Sequence, residues 1–308
     1  MIEITNLTRR YGSVQALKGV NLRVKEGCIL GLLGQNGAGK TTLLNILTGY
    51  LAPTEGHVLL DGHDPLLEPD EAKRRLGYLP EQPPLYDEMT VQEYLRFAAE
   101  LKGVQRRAIP AHVDEVMELT GLTAMRRRLV GHLSKGYRQR TGMAQALCGD
   151  PDVLVLDEPT VGLDPKQITE IRSLIQTLGR GRTIIFSSHI LSEVQQLCDH
   201  VVILDRGEVR LDTDLSSMQS SEKITLLCTM DAPQSKVVGT LRELDGVHSV
   251  RVQPSESERQ TTVLITFCKT EEPEKRLFSL LCSLHIPILH LSRSEDSLEQ
   301  VFLNTISH

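Results

Sequence analysis

The sequence predicts a doubly wound α/β domain followed by a small α+β domain. Three continuous apolar runs have the pattern of strands buried on both faces of a parallel sheet: residues 28–34 (CILGLLG), 152–159 (DVLVLDEP) and the first half of 183–189 (TIIFSSH). A helical pattern follows each run. Strand then helix, repeated three times, indicates a core of parallel strands with helices packed on its faces.

Shorter strand patterns surround this core. Residues 1–7 (MIEITNL), 20–27 (VNLRVKEG) and 57–62 (HVLLDG) are partly alternating and β-branched, which favours an edge or antiparallel sheet. Between about residues 86 and 150 the pattern is mostly helical, and we expect a helical subdomain inserted into the α/β core. The first domain is therefore predicted to span residues 1–213.

The composition changes after the first domain. A polar, Ser-rich stretch predicts a linker at residues 214–222, followed by an accessory domain at 223–308. The patterns there follow the order βαββαβ, that of a ferredoxin-like α+β sandwich, with one added helix at 297–306 (SLEQVFLNTI). Because this accessory domain shows no catalytic motif, we expect the chemistry in the first domain.

The charge distribution argues against a protein that wraps nucleic acid. The formal net charge is −6 and the isoelectric point is near 6.0. Residues 119–149 nevertheless contain six Lys or Arg and no Asp or Glu. This basic run includes residues 133–140 (LSKGYRQR). We interpret it as a local positive field that attracts a small or localised anionic group, and no nucleic-acid partner is expected.

Cysteine usage and hydropathy set the expected compartment. The six cysteines show no CxxC spacing, so neither a zinc site nor a disulfide framework is predicted, and we expect buried thiols in a reducing compartment. The N-terminus lacks a basic segment followed by an apolar one, and no window approaches the roughly 20 apolar residues that span a bilayer. We therefore expect a soluble, cytosolic protein that is able to dock onto a membrane protein.

A phosphate-binding loop is predicted at residues 34–41 (GQNGAGKT), which fit the pattern G-x-x-x-x-G-K-[ST] between an apolar strand and a helix. Successive backbone N–H groups and the positive end of the helix form a cradle for phosphates. Lys40 is suited to reach the β- and γ-phosphates, and Thr41 to place its hydroxyl on Mg²⁺. The alternative, a plain glycine-rich turn, is disfavoured by this context.

Two adjacent carboxylates end the second apolar run. At the carboxyl end of a parallel strand both side chains can reach the crevice where ligands bind. Asp157 is suited to hold Mg²⁺, directly or through water, and Glu158 to activate a water in line with the γ-phosphate. A capping Asp-Glu pair before a proline turn is the alternative. His189 ends the third run at the same edge, where a lone histidine is more often a cap than a catalyst.

These elements together resemble one family. GQNGAGKT, LSKGYRQR, VLVLDEPT, VGLDP and SSH, in this order, are similar to the nucleotide-binding subunits of ATP-binding cassette (ABC) transporters, over residues 1 to about 210. The C-terminal SEDSLEQVFLNTI further resembles the tail of ATPases that serve ABC-2 type exporters, including drug, polysaccharide and gliding-associated systems. The resemblance implies a P-loop NTPase cassette, a mixed sheet with a helical insertion, beside the ferredoxin-like domain.

The resemblance assigns roles by matching position. Tyr11 would stack on adenine, His189 would contact the γ-phosphate, and Asp164 would lie at a dimer seam. Catalysis is assigned to Glu158, His189 and Lys40. The residues implied to bind nucleotide are Tyr11, Gly34, Gln35, Asn36, Gly37, Ala38, Gly39, Lys40, Thr41, Thr42, Ser134, Gly136 and Asp164, and those implied to hold the metal are Thr41, Asp157, Glu81 and Gln82.

Two departures from the family pattern concern the Q-loop and the signature. The usual glutamine after GYxP is replaced by Glu81, with Gln82 one place later, and either side chain can supply an oxygen. The common signature L-S-G-G-Q reads LSKGY here, so Ser134 and Gly136 are retained. A hydroxyl and a close-approaching N–H at a helix N-terminus are the groups that meet a phosphate.

The implied function is an ATPase whose cofactors are ATP and Mg²⁺. It would dimerise head to tail with a second copy or a related cassette and drive an integral membrane permease from the inner face of the cell membrane. A soluble cassette ATPase for ribosomes or DNA is an alternative, although this chain has one cassette and no sustained heptads. A GTPase or kinase lacks support because no N-K-x-D signal appears. A regulatory protein with a dead site would be expected to lack Lys40, Glu158 or His189.

Overall fold

The computed structural model describes residues 1–216, 223–253, 260–268 and 272–294. The chain divides into two compact units, Met1–Leu215 and Ser216–His308. The first unit therefore ends close to the predicted boundary at residue 213. Strand β9 (Glu208–Asp214) extends to the first residue of the predicted linker, and residues 217–222 of that linker lie outside the described part.

The first unit contains two sheets. Its other strands are β1 (Ile2–Tyr11), β2 (Val14–Val24), β3 (Ile29–Leu33), β4 (Glu55–Leu60), β5 (Leu76–Leu79), β6 (Val153–Leu156), β7 (Thr183–Ser188) and β8 (His200–Asp205). The larger sheet has six described strands in the order β5-β6-β7-β3-β8-β9, all parallel except β9. The smaller sheet has the order β2-β1-β4 and is antiparallel. The predicted mixed-sheet core is confirmed.

Seven described helices belong to this unit. They are α1 (Lys40–Leu47), α2 (Pro69–Arg75), α3 (Val91–Leu101), α4 (Ile109–Leu119), α5 (Lys135–Leu147), α6 (Pro165–Gly179) and α7 (Leu191–Leu197), with 3-10 turns at Thr123–Met125 and Val130–His132. Helices α1, α6 and α7 follow β3, β6 and β7, as the strand-helix pattern predicts. Helices α3 to α5 form the helical insertion between β5 and β6. The sequence pattern does not indicate α2, a polar seven-residue helix whose buried residue is Ala72.

Local chemistry explains where the helices begin. Thr90 and Glu93 form a reciprocal capping box at the start of α3, and Asp164 and Gln167 form another at the start of α6.

The fully buried Leu44 of α1 joins one apolar cluster with side chains from both sheets, including Ile2 of β1. Helix α1 and the loop before it are therefore fixed from both sheets.

The second unit contains four described strands and two described helices. These are β10 (Lys223–Met230), α8 (Gln234–Arg242), β11 (Val247–Gln253), β12 (Thr261–Cys268), α9 (Pro273–Ser283) and β13 (Ile288–Ser294). The antiparallel sheet has the order β11-β12-β10-β13 and shares a core with both helices. The chain order is the predicted βαββαβ, whereas the predicted final helix at 297–306 lies outside the described residues.

Cysteine burial is only partly as expected. All six cysteines lie in described residues and no disulfide joins them, but only Cys148, Cys198 and Cys228 are buried, and Cys282 is exposed. Burial raises the pKa of the Cys148 thiol to about 12 and that of Cys228 to about 11. Among the described helices none is long and apolar enough to cross a membrane.

Candidate functional site

The candidate site lies at the carboxyl edge of the large sheet. Strands β3, β5, β6 and β7 are parallel, so the loops that follow them leave the sheet on the same side. The phosphate loop follows β3, Asp157 and Glu158 follow β6, and His189 follows β7. The fold thus brings together the three groups of residues that the sequence predicts for one site.

The glycines of the phosphate loop are required by its backbone. Gly37 has φ 83° and Gly39 has φ 107°, in the left-handed region that side chains with a Cβ rarely adopt. A Cβ built on Gly34 would collide with the carbonyl oxygen of Leu204, and one on Gly39 would lie 2.7 Å from the carbonyl oxygen of Ala16. The exposed Gln35 and Asn36 lie between the glycines, and the other loop residues are Ala38, which is buried, and Thr41 and Thr42.

Lys40 is buried at the centre of the site. Its Nζ donates to the carbonyl oxygens of Gly34 at 2.7 Å and Gln35 at 3.3 Å. It also lies 3.3 Å from Oε1 of Glu158, with side chains only 6% and 9% exposed. The lysine of the phosphate loop is thus paired with a carboxylate from another strand, and this pairing offsets the cost of burying both charges.

Glu158 forms the link between the phosphate loop and His189. Its other carboxylate oxygen, Oε2, lies 2.8 Å from Nδ1 of His189. The Glu158 backbone has φ 47°, an unusual value for a residue with a side chain. Its N–H donates to Oγ of Ser187 at 2.8 Å. A strained backbone held by a buried hydrogen bond is typical of functional positions.

Asp157 has one oxygen satisfied and one without a partner. Its Oδ1 accepts from Oγ of Ser187 at 2.6 Å, whereas the buried Oδ2 has no hydrogen-bond partner among the described residues. Burial and the nearby Asp157 carboxylate raise the pKa of the Tyr78 phenol. The hydroxyl-bearing residue Thr41 is exposed at the start of α1. An orphan carboxylate oxygen and a hydroxyl beside a phosphate cradle are the protein ligands that Mg²⁺ takes together with phosphate oxygens.

The comparisons with known proteins agree on one family. The family model described as ABC transporter matches residues 17–161. The bacitracin transport ATP-binding protein BcrA of Bacillus licheniformis is 36% identical, with 99% of this chain and 97% of the relative covered. The linearmycin resistance ATP-binding protein LnrL of Bacillus subtilis is 31% identical over the same shares. The chain belongs to the ABC transporter ATP-binding proteins.

A solved structure of the family extends this likeness to the three-dimensional fold. The ATP-binding cassette MJ0796, solved as a dimer in a post-hydrolysis state with ADP and Pi, is 28% identical, with a TM-score of 0.64, 70% of this chain covered and 99% of the other. As an ABC cassette, the protein is an ATPase.

Ser187 contributes to the cassette site, although its place in the sequence predicts no role for it. One hydroxyl both donates to Asp157 and accepts from the Glu158 N–H, and the residue is fully buried. It precedes His189 by two positions on β7, so the hydroxyl connects β6 with β7. The sequence signal that includes Ser187 is the SSH motif. That motif does not reveal that Ser187 contacts residues at the end of β6.

We expect Ser187→Ala to weaken the cassette and its catalysis together. The change leaves one Asp157 oxygen and the Glu158 N–H without a partner, which costs about 1–3 kcal/mol of the free energy of unfolding. Denaturant unfolding measures this loss, and a steady-state assay should show a lower kcat. Ser173→Ala, an exposed serine on α6, is the control. Wild-type stability and kcat in Ser187→Ala would contradict the linking role.

Three other residues of the cassette that the resemblance assigns, Tyr11, Glu81 and Gln82, are exposed. Tyr11 ends β1 with 46% of its surface exposed, and the Arg9 guanidinium carbon lies 4.7 Å from its ring centroid. The exposed part of the ring is accessible to a base, while Arg9 covers part of the ring. Glu81 and Gln82 are both exposed just after β5, so the structure offers both side chains for the Q-loop role.

The signature residues of the cassette lie at the start of α5. Ser134 is exposed and its side chain makes no capping hydrogen bond to the helix. Gly136 is buried, and a Cβ there would lie 2.7 Å from Cδ of Gln167. Asp164 accepts from the Gln167 N–H at 2.9 Å. The signature segment therefore packs on the start of α6 within the same chain, which gives Gly136 and Asp164 a structural role alongside the predicted one.

Proposed function

We propose that this protein is the ATP-hydrolysing subunit of an ABC exporter, with Lys40, Glu158 and His189 as its reacting group. The observation that supports this is the continuous contact Lys40–Glu158–His189, which joins the phosphate loop to the ends of β6 and β7. A buried lysine, a buried carboxylate and a histidine beside a phosphate cradle are the groups that phosphoryl transfer to water requires.

Nucleotide binding would rearrange the Lys40 contact. The backbone N–H groups of residues 34–42 hold the triphosphate, and Lys40 turns from Glu158 to the β- and γ-phosphates. Glu158, still next to His189, then accepts a proton from the water that attacks the γ-phosphorus. His189 contacts the γ-phosphate and Tyr11 stacks on the adenine. ADP is the leaving group.

We infer that Thr41 and Oδ2 of Asp157 hold Mg²⁺, with an oxygen from Glu81 or Gln82. When bound, the ion neutralises charge on the phosphates. This assignment gives the orphaned Asp157 oxygen a partner.

The second half of each site would come from another cassette. The exposed Ser134 hydroxyl and the N–H groups at the start of α5 would bind the γ-phosphate held by a second copy or a related cassette; Ser134 makes no capping bond that would compete. Asp164 then lies at the seam. MJ0796, a similar cassette, was solved as a dimer. Loss of the γ-phosphate contact lets the two halves separate.

The partner would be an integral membrane permease. The names of BcrA and LnrL state bacitracin transport and linearmycin resistance for those proteins. We infer export here, with the permease docked on the helical subdomain at about residues 86–150 and selecting the cargo. The protein would then be cytoplasmic, at the inner face of the cell membrane. The accessory domain at 223–308 would serve dimer contact or regulation, because it presents no catalytic motif.

Recovery of the permease tests the transport assignment. The tagged chain, extracted from its own cells in mild detergent, is expected to copurify with a polytopic membrane protein in a fixed ratio. Lys40→Ala is the matched control, because its docking surface is unchanged and it should recover the same protein. Recovery of ribosomes or DNA in place of a membrane protein would contradict the proposal.

A further inference from the structure

Glu193 is a buried carboxylate that none of the site assignments uses. It lies on α7, four residues after His189, and is 0% exposed. Its Oε2 accepts two hydroxyl hydrogen bonds, from Oγ1 of Thr160 at 2.9 Å and from Oγ of Ser188 at 2.9 Å. Its Oε1 lies 3.4 Å from Nη2 of Arg172 on α6.

The two hydroxyl donors lie close in sequence to the proposed catalytic residues Glu158 and His189. Thr160 follows Glu158 by two residues, and Ser188 immediately precedes His189. Both donors are buried, at 3% and 1% exposure. One oxygen of Glu193 therefore ties the segment that carries Glu158 to the segment that carries His189.

The burial of this charge argues for a precise role. A carboxylate is almost never fully buried without partners, because it loses its hydration. Oε1 has only the Arg172 ion pair and no hydrogen bond among the described residues. An apolar side chain of similar size would fill the same space without that cost. Two hydroxyls converging on one oxygen fix the relative position of two loops, which an apolar contact does not do.

We propose that Glu193 is a positioning residue that sets the Glu158–His189 geometry for ATP hydrolysis. The inference rests on the proposed roles of Glu158 and His189. Glu193 is fully buried and acts through its hydrogen bonds with Thr160 and Ser188. Small displacements of catalytic groups lower turnover strongly, while phosphate binding by the separate loop after β3 is unaffected.

Glu193→Met tests the proposal because it removes both acceptor oxygens while keeping side-chain size. We expect kcat for ATP hydrolysis to fall about 10-fold, with KM for ATP within about two-fold of wild type. Glu55→Met, at the exposed glutamate that begins β4, is the control and should keep both parameters. If Glu193 has a purely structural role, the variant will have a lower melting temperature and a smaller active fraction. The kcat of its folded fraction, measured by active-site titration, will then be unchanged. That result would overturn the proposal.

Thr160 supplies a second test that does not depend on Glu193→Met folding. Thr160→Val removes the hydroxyl at nearly constant shape and is expected to lower kcat about three-fold or more. Thr160→Ser keeps the hydroxyl and is expected to have the wild-type kcat. In the Glu193→Met background the Thr160→Val change should have no further effect, because its acceptor is already gone. Equal kcat values for Thr160→Val and Thr160→Ser would overturn the proposal.

The same assay separates this inference from the proposed function. If Glu158→Gln hydrolyses ATP at the wild-type rate, the assignment of Glu158 as the base is wrong. If Glu158→Gln is inactive while Glu193→Met keeps wild-type kcat, the base assignment stands and the positioning role of Glu193 is wrong.

Discussion

Replacing Glu158 with glutamine is expected to lower the rate of ATP hydrolysis by about 10² to 10⁴, the usual contribution of a general base. The amide keeps the shape of the side chain but cannot accept the proton of the attacking water. Lys40 and the phosphate loop are unchanged, so ATP binding should persist. The variant should therefore accumulate an ATP-dependent dimer, measurable by sedimentation with and without ATP.

A nearby carboxylate supplies the control for this prediction. Asp152→Asn makes the same chemical change at an exposed residue just before β6, and it should keep wild-type turnover. Loss of ATP binding in Glu158→Gln would indicate that the residue serves the fold of the site. Wild-type hydrolysis by Glu158→Gln would mean that another group is the base.

Ser134→Arg is expected to abolish turnover even though the phosphate loop of the same chain is intact. The long cationic side chain would occupy the place of the partner's γ-phosphate and block the seam. Lys40→Ala should also be inactive, because it lacks the phosphate contact. A mixed dimer of the two variants contains one complete site. At equal mixing about half of the dimers are mixed, so up to about a quarter of wild-type activity should return.

The control places the same bulk two residues earlier. His132→Arg changes an exposed residue before α5 and should leave turnover intact. Full activity of Ser134→Arg alone would exclude a site shared between chains. The required measurement is the steady-state ATPase rate of each variant and of the mixture at equal total protein.

Much of the core was predictable because its signals are local. The apolar runs that became β3, β6 and β7 are continuous, and burial on both faces of a parallel sheet requires that pattern. The glycines of residues 34–39 signal a loop whose backbone needs left-handed φ values. Helix α2 was not predictable, because a short polar helix has too few buried positions to create a periodic pattern.

The contacts within the site were less predictable than its residues. Ser187 and Glu193 look ordinary in sequence, since a serine in a strand and a glutamate in a helix are common solvent-facing residues. Their importance appears only when β7 lies next to β6, which brings Ser187 to Asp157 and Glu193 to Thr160. Similarly, the signature motif predicts that Gly136 binds the phosphate of a nucleotide held by a partner cassette. In the structure Gly136 also packs on Gln167 of its own chain.

The sequence by itself determined the chemistry of this protein: a phosphate cradle, two carboxylates at a strand end, a histidine at another, and a signature serine at a helix start. Those features depend on neighbouring residues, whose spacing alone places N–H groups and side chains on a loop or helix. Only the tertiary structure decided that Lys40 pairs with Glu158, that His189 contacts the same carboxylate, and that Glu193 joins both loops. Such contacts depend on the order of strands in the sheet, which the packing of the whole core fixes.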